Sequence, residues 1–201
     1  MGIVIGIDVG ISTTKIVGIV EQGKVLSPIR IKATDPVTSL YGAFGKFLYV
    51  NKIQLQDIEK VMLTGVGSAY INEPIYNLPT EKAEEFIADG LGARYETKLD
   101  RMIVVSMGTG TSIVKCDGED IKHIGGIGIG GGTLQGLSRL LLKTDDILQV
   151  AKLAEEGDVS HINLLIKDIS AKPLPGLPMD AIASLCGNAK SNASREDIAI
   201  G

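Results

Sequence analysis

The sequence is poor in several residue types, and each scarcity argues against a class of protein. Among 201 residues there are two cysteines, two histidines and no tryptophan. Two distant cysteines cannot build a disulfide framework, and with two histidines they offer no zinc cluster. So few cysteines are typical of a reducing compartment, so we expect a cytoplasmic protein.

Long apolar runs and basic runs are also missing. No stretch reaches the roughly 18 apolar residues of a membrane span. The net charge of −4 argues against a protein that binds nucleic-acid phosphates. The segment Met1–Asp8 has no basic region, which predicts a first strand rather than a signal peptide. We therefore expect neither a membrane nor a nucleic acid as partner.

Glycine, in contrast, is abundant. There are 25 glycines, about 12% of the chain against a usual value of about 7%. Ten of them fall between Gly108 and Gly136. Glycine concentrated in one region, without low complexity, indicates backbone that approaches a ligand closely.

An internal repeat organises the chain. Residues 3–20 and 102–115 each contain a β-branched run, a Gly/Ser/Thr turn and a second β-branched run. When the two segments are aligned, Gly10 corresponds to Gly108. Each second run meets another turn and a third predicted strand. Two such units predict duplicated domains, since a solenoid would repeat every 20–50 residues or so. We place the domains at 1–100 and 101–201.

Between and after these two units, apolar residues recur at helical spacing. The predicted helices lie at 40–48, 80–95, 133–143, 146–157 and 180–188. A capping-box spacing over 194–197 predicts the start of one more helix, close to residue 201. We therefore expect the second domain to be incomplete.

The glycine turns suggest a phosphate site. A tight turn rich in Gly, Ser and Thr presents backbone N–H groups and hydroxyls as an anion nest. Two facing turns would grip a polyphosphate, and Gly130–Gly132 before a helix would add a third contact. Asp8, at the end of the first strand, would hold Mg²⁺ through water, and Lys15 would neutralise phosphate charge.

A candidate general base lies in the helix predicted over 80–95. Glu85 precedes Phe86 on its apolar edge, and a carboxylate at a cleft can take a proton from a hydroxyl. A solvated helix face is the competing interpretation, and Glu84 is an alternative base. His123, by spacing alone, is more often structural.

These strings resemble a known family. Residues 8–15 and 108–112 look like the two phosphate motifs of the actin/hexokinase-like ATPase superfamily. The type II pantothenate kinase family is a nearer match. It shares three strings in the same order: residues 105–112, Gly125–Leu137 and Ala154–Asp158. The resemblance covers residues 3 to 201. It implies an α/β fold of duplicated ribonuclease H-like (actin-like ATPase) domains with mixed sheets.

The resemblance also implies an activity: ATP- and Mg²⁺-dependent phosphorylation of pantothenate to 4′-phosphopantothenate, the first step of coenzyme A synthesis. Its catalytic glutamate falls on Glu85 and its first phosphate motif on residues 8–15, where Asp8 would position the metal. Its nucleotide contacts fall on Asp8, Val9, Gly10, Ile11, Ser12, Thr13, Thr14, Lys15, Thr109, Gly131, Gly132, Thr133, Leu134 and Gln135. Substrate contacts are expected at Thr111, Ser112 and His123.

Two positions depart from the family pattern. Ile11 stands where glycine is frequent and crowds the phosphate turn, and His123 replaces a substrate-contacting arginine. Family members are dimers, which implies a homodimer. The family's adenosine-binding stretch lies beyond Gly201, so we expect this chain alone to be a poor kinase.

Two other functions stay open. One is a nucleotide-driven activator of a 2-hydroxyacyl-CoA dehydratase type partner, which shares the first motif but carries a bridging iron–sulfur cluster. The placing of Cys116 and Cys186 argues against that cluster. The other is an inactive fragment that only folds or dimerises.

Overall fold

The chain forms two compact units. The computed structural model describes residues 2–21, 23–33 and 35–201. Its packing divides the chain into Met1–Ile127 and Gly128–Gly201. The predicted domain boundary near residue 100 rests on the sequence repeat, not on the packing of the chain. It stays a prediction. Among the described residues, no helix combines the length and apolar character needed to cross a membrane.

The first unit begins with a mixed five-stranded sheet and one long helix. Its elements are β1 (Ile3–Val9), β2 (Thr13–Val20), β3 (Ile29–Lys32), α1 (Pro36–Asn51), β4 (Ile58–Thr64) and β5 (Thr80–Lys82), with 3₁₀ turns at Leu55–Asp57, Val66–Tyr70 and Ile75–Asn77. The strand order is β3-β2-β1-β4-β5. β1 pairs antiparallel with β2 and parallel with β4.

Alternation along the strands decides which face is buried. The odd-numbered residues of β1 are buried and pack in one core with the α1 phenyl rings of Phe44 and Phe47. The Asp35 carboxylate caps α1 by accepting a hydrogen bond from the Thr38 N–H at 2.7 Å, which satisfies a free helix-end donor. The even-numbered residues of β1, Asp8 among them, therefore lie on the face away from α1.

The second half of the first unit repeats the three-strand pattern. After α2 (Glu85–Thr97) come β6 (Arg101–Met107), β7 (Thr111–Asp117) and β8 (Asp120–Ile127). They form an antiparallel sheet in the order β6-β7-β8, against which α2 packs. The predicted helix over 80–95 starts later than expected because residues 80–82 pair with β4 as a parallel strand.

The second unit combines short helices with one small sheet. It contains α3 (Gly131–Leu137), a π-helical turn (Ser138–Leu142), α4 (Ile147–Glu155), a 3₁₀ turn (Val159–His161), β9 (Leu164–Leu165), α5 (Ile166–Ile169), β10 (Ile182–Ser184) and α6 (Arg195–Ile200). The predicted helix over 180–188 is wrong. The backbone around Ile182 pairs instead with Leu165 of β9, and Cys186 has a positive φ of 56°, which an α-helix does not accommodate.

One carboxylate ties α6 to the turn that follows α4. Asp197 accepts hydrogen bonds from the Asp158 N–H at 2.9 Å and, at 3.0 Å, from Nδ1 of His161. These two bonds, the Asp158 bond first, lower the pKa of Asp197 to about 2. The predicted capping at Ser194 is observed, since its hydroxyl accepts from the Asp197 N–H at 3.0 Å.

Candidate active site

The two glycine turns of the repeat lie together in the first unit. The β1–β2 turn is closed by a 3.0 Å bond from the Gly10 N–H to the Thr13 carbonyl, and the β6–β7 turn by a 2.8 Å bond between Gly108 and Gly110. The hydroxyls of Ser12 and Thr109, one on each turn, are 3.0 Å apart. Both turns thus bring hydroxyls and glycine-rich backbone to the same place, which is the composition that an anion nest needs.

A pocket of about 360 Å³ lies at this meeting point. The predicted site residues that line it are Asp8, Gly10, Ile11, Ser12, Thr13, Lys15, Glu85, Thr109, Thr111 and Ser112. Gly108 and Gly110 of the predicted second phosphate turn line it too, whereas sequence reasoning missed Val66, Phe86, Asp89, Ser106 and Ile127. Asp89 follows Glu85 by four positions, so helical spacing alone would have placed both carboxylates on one face of α2.

Asp8 and Lys15 form an ion pair at the pocket. They are register partners on β1 and β2, and Nζ of Lys15 lies 2.7 Å from Oδ2 of Asp8. The side chains are 53% exposed for Lys15 and 26% for Asp8. An ion pair so open to water contributes little stability, so Lys15 can exchange Asp8 for a phosphate at small cost.

Glu85 is the first residue of α2 and faces the same pocket. Burial raises the pKa of its carboxyl above the ordinary value; the negative charges of Asp8 and Asp89 raise it further, and Lys15 opposes them. A carboxylate with a raised pKa is a better proton acceptor, because its basicity lies closer to neutral pH. The position suits a general base.

His123 is placed by a ring contact. Its imidazole, on β8, stacks on the Phe86 ring with centroids 4.2 Å apart and planes 17° apart. Since Phe86 follows Glu85, this stack supports the first turn of α2. A direct contact of His123 with substrate stays a prediction.

Two predicted nucleotide contacts point into the core instead. The side chains of Val9 and Thr14 are fully buried, because strand alternation turns both toward α1. The Thr14 hydroxyl is buried without a hydrogen-bond partner in the described part of the chain. A contact from either residue would have to come from the backbone, so the structure gives no support to a phosphate bond from the Thr14 hydroxyl.

The predicted glycine-rich nucleotide segment opens α3 in the second unit. Gly130 precedes the helix, and the Thr133 hydroxyl accepts from its N–H at 3.3 Å and donates to the Gly128 carbonyl at 3.1 Å. Leu134 is exposed, and the remaining members of the segment are Gly131, Gly132 and Gln135. Their contacts with a nucleotide stay predictions.

The donor set around Asp8 fits magnesium better than a transition metal. The described residues contain no group of three or more His, Cys, Asp or Glu side chains placed to hold a metal. Mg²⁺ is usually held by one or two carboxylates, with waters and phosphate oxygens completing its shell. The partly exposed Asp8, once Lys15 releases it, offers such a carboxylate beside an anion nest.

Comparisons with known proteins agree with this geometry. The Fumble family model matches residues 82–199, more than half of the chain. A type II pantothenate kinase of Staphylococcus aureus (strain USA300) is 33% identical over 189 residues, covering 92% of this chain and 66% of the relative. The chain thus spans slightly less than two thirds of that relative's length.

Solved structures show the fold. Component A of the (R)-2-hydroxyglutaryl-CoA dehydratase of Acidaminococcus fermentans has a TM-score of 0.64 at 13% identity, covering 83% of this chain and 62% of its own. The activator of the 2-hydroxyisocaproyl-CoA dehydratase of Clostridium difficile, with bound ADPNP, scores 0.61 at 15% identity, covering 78% and 57%. The predicted actin-like ATPase fold is thereby confirmed.

Identities this low show the fold alone, so they add nothing specific to the dehydratase-activator alternative. Cys116 is buried and Cys186 exposed, and both are free thiols. The family match and the identity to the staphylococcal kinase are the stronger findings. The chain belongs to the Fumble family, that of the type II pantothenate kinases.

Proposed function

We propose that this site transfers the terminal phosphoryl group of ATP to the primary hydroxyl of pantothenate, giving 4′-phosphopantothenate. The observation that carries the proposal is Glu85: a carboxyl with a raised pKa lines one pocket with both glycine turns. A proton acceptor beside an anion nest is the minimum that phosphoryl transfer to an alcohol needs.

Each part of the pocket has a role in this reaction. The N–H groups and hydroxyls of the two turns bind phosphate oxygens and stabilise charge on the transferring group. Lys15 exchanges its bond to Asp8 for a phosphate, and the freed Asp8 carboxylate would then hold a hydrated cation. A magnesium ion held there would neutralise charge on the nucleotide's phosphates. Glu85 takes the proton of the attacking hydroxyl.

The remaining contacts are proposed on the family resemblance and on the name of the staphylococcal relative. Thr111 and Ser112, which line the pocket, would bind pantothenate. Thr109 and residues 131–135 would contact ATP. We also propose a cytoplasmic homodimer, for which light scattering of the purified chain is the direct check.

The test replaces Glu85 by glutamine, which keeps its size and removes its basicity. We expect pantothenate-dependent ADP release to fall about 10²–10⁴-fold, with ATP binding retained. Glu96→Gln, at the far end of α2, is the matched control and should retain activity. If ADP release falls in Glu84→Gln and not in Glu85→Gln, then Glu84 is the general base. No stimulation of the wild type by pantothenate would refute the proposed activity.

A further inference from the structure

Three polar side chains form a row across the first sheet. Asp8 on β1 is the register partner of Lys15 on β2 and of Thr64 at the end of β4. All three line one pocket, and strand alternation places their side chains on the face of the sheet away from α1. Lys15 and Thr64 therefore flank the Asp8 carboxylate from opposite sides.

The two oxygens of that carboxylate face different neighbours. Oδ2 accepts from Lys15 at 2.7 Å. Oδ1 lies so close to the chain after β4 that a Cβ on Gly65 would come within 2.4 Å of it and within 2.7 Å of the Val9 carbonyl. Gly65 also has a φ of +82°, which side chains rarely allow. The end of β4 is thus built to pass directly beside Oδ1.

The Thr64 hydroxyl stands out among the described residues because no hydrogen bond satisfies it. Its Oγ1 is buried and makes no hydrogen bond within the described part of the chain. Buried polar groups are nearly always paired, and an unpaired one calls for an explanation. Thr64 is the register partner of Asp8 on the neighbouring strand. Its unpaired hydroxyl is explained if Asp8 changes hydrogen-bond partners when a ligand binds and then accepts from Thr64.

We propose that Thr64 is a positioning residue for Asp8. When a phosphate takes Lys15 away, the Thr64 hydroxyl donates to Oδ1 and holds the carboxylate, which would leave Oδ2 available to a hydrated magnesium ion. This hydrogen bond also stabilises the negative charge of Asp8 after Lys15 has left, while the negative charge of Glu85 remains nearby. This inference rests on the proposed function, because it needs a magnesium-bound nucleotide in the pocket.

The test measures binding rather than turnover. The affinity for a non-hydrolysable ATP analogue is determined with magnesium and with EDTA, and the ratio of the two gives the magnesium coupling. Thr64→Val, which keeps shape and removes the hydroxyl, should lower that ratio about tenfold or more, as expected for a lost hydrogen bond to a charged group. Thr64→Ser, which restores the donor, should recover most of it.

Thr80→Val is the matched control on the neighbouring strand β5. The Thr80 hydroxyl donates to the Leu78 carbonyl and accepts from the Ile75 N–H, so its loss should lower the melting temperature and leave the coupling ratio unchanged. Coupling in Thr64→Val equal to wild type would overturn the role of Thr64 and leave the proposed function intact. A wild type that binds no magnesium nucleotide would overturn both.

Discussion

The first strands of the two repeated hairpins have the same local pattern and very different surroundings. β1 has a neighbour on each side, and its odd-numbered residues are buried against α1. β6 pairs with β7 alone among the described residues. Its Ile103, Val105 and Met107 are 55%, 50% and 80% exposed. A strand–turn–strand signature therefore determines the turn and its register, whereas burial depends on what packs around the strand.

The two hairpins also divide the chemistry of the pocket unequally. The first contributes both charged groups, Asp8 and Lys15, whereas the residues of the second that line the pocket are uncharged. The remaining charges come from Glu85 and Asp89 of α2. The hairpin with the better packed sheet thus holds the ion pair, and the more exposed hairpin supplies hydroxyls and backbone.

The largest expected effect tests the difference in burial. Phe44→Ala empties a fully buried position between α1 and the first sheet, so the free energy of unfolding should fall by about 3–5 kcal/mol. Ile103→Ala on β6 should change it by about 0.5 kcal/mol or less. Urea unfolding measures both. An equal loss in Ile103→Ala would show that the outer face of β6 is covered in solution.

A smaller effect compares the turns themselves. A Cβ on Gly10 would lie 2.7 Å from the Thr13 carbonyl oxygen, whereas one on Gly108 would come no closer than 3.9 Å to the Gly110 oxygen. Gly10→Ala should therefore cost about 1–3 kcal/mol of unfolding free energy, and Gly108→Ala much less. Similar melting temperatures for the two variants would mean that the first turn relaxes easily.

The smallest effect concerns charge. The Asp89 charge helps to raise the pKa of Glu85, so Asp89→Asn should lower that pKa. Because the proposed mechanism needs ionised Glu85, the acid limb of the pH–rate profile should move to lower pH, by less than about one unit. Asp120→Asn, which removes a carboxylate paired with Lys122 on β8, is the control. An acid limb that does not move would show that the protonation of Glu85 does not control the rate.

Much of the fold could be predicted from the sequence. Period-two runs and glycine turns predicted both hairpins, and the position of Asp8 at a strand end predicted where its carboxylate would lie. The failure over 180–188 has a different origin, since pairing with β9 decides that segment and no local pattern reports a partner so far away in sequence.

The site was harder to predict in detail. Thr14 and Lys15 are neighbours in one motif, yet the alternation of β2 sends one side chain to the core and the other to the pocket. Applied to the motif, that rule would have separated them. The stack of His123 on Phe86 and the passage of Gly65 beside Asp8 are long-range contacts, which spacing along the chain cannot reveal.

The hydrogen bonds by which Asp197 of α6 holds Asp158 and His161 affect how this protein responds to acid. Because its pKa is lowered to about 2, its contribution to stability is complete above the ordinary aspartate pKa and fades only as the pH falls toward about 2. Glu85, with its raised pKa, gains a proton well before that. We therefore expect a brief acid exposure to suppress the proposed phosphoryl transfer while α6 stays attached, and return to neutral pH to restore it without refolding that helix.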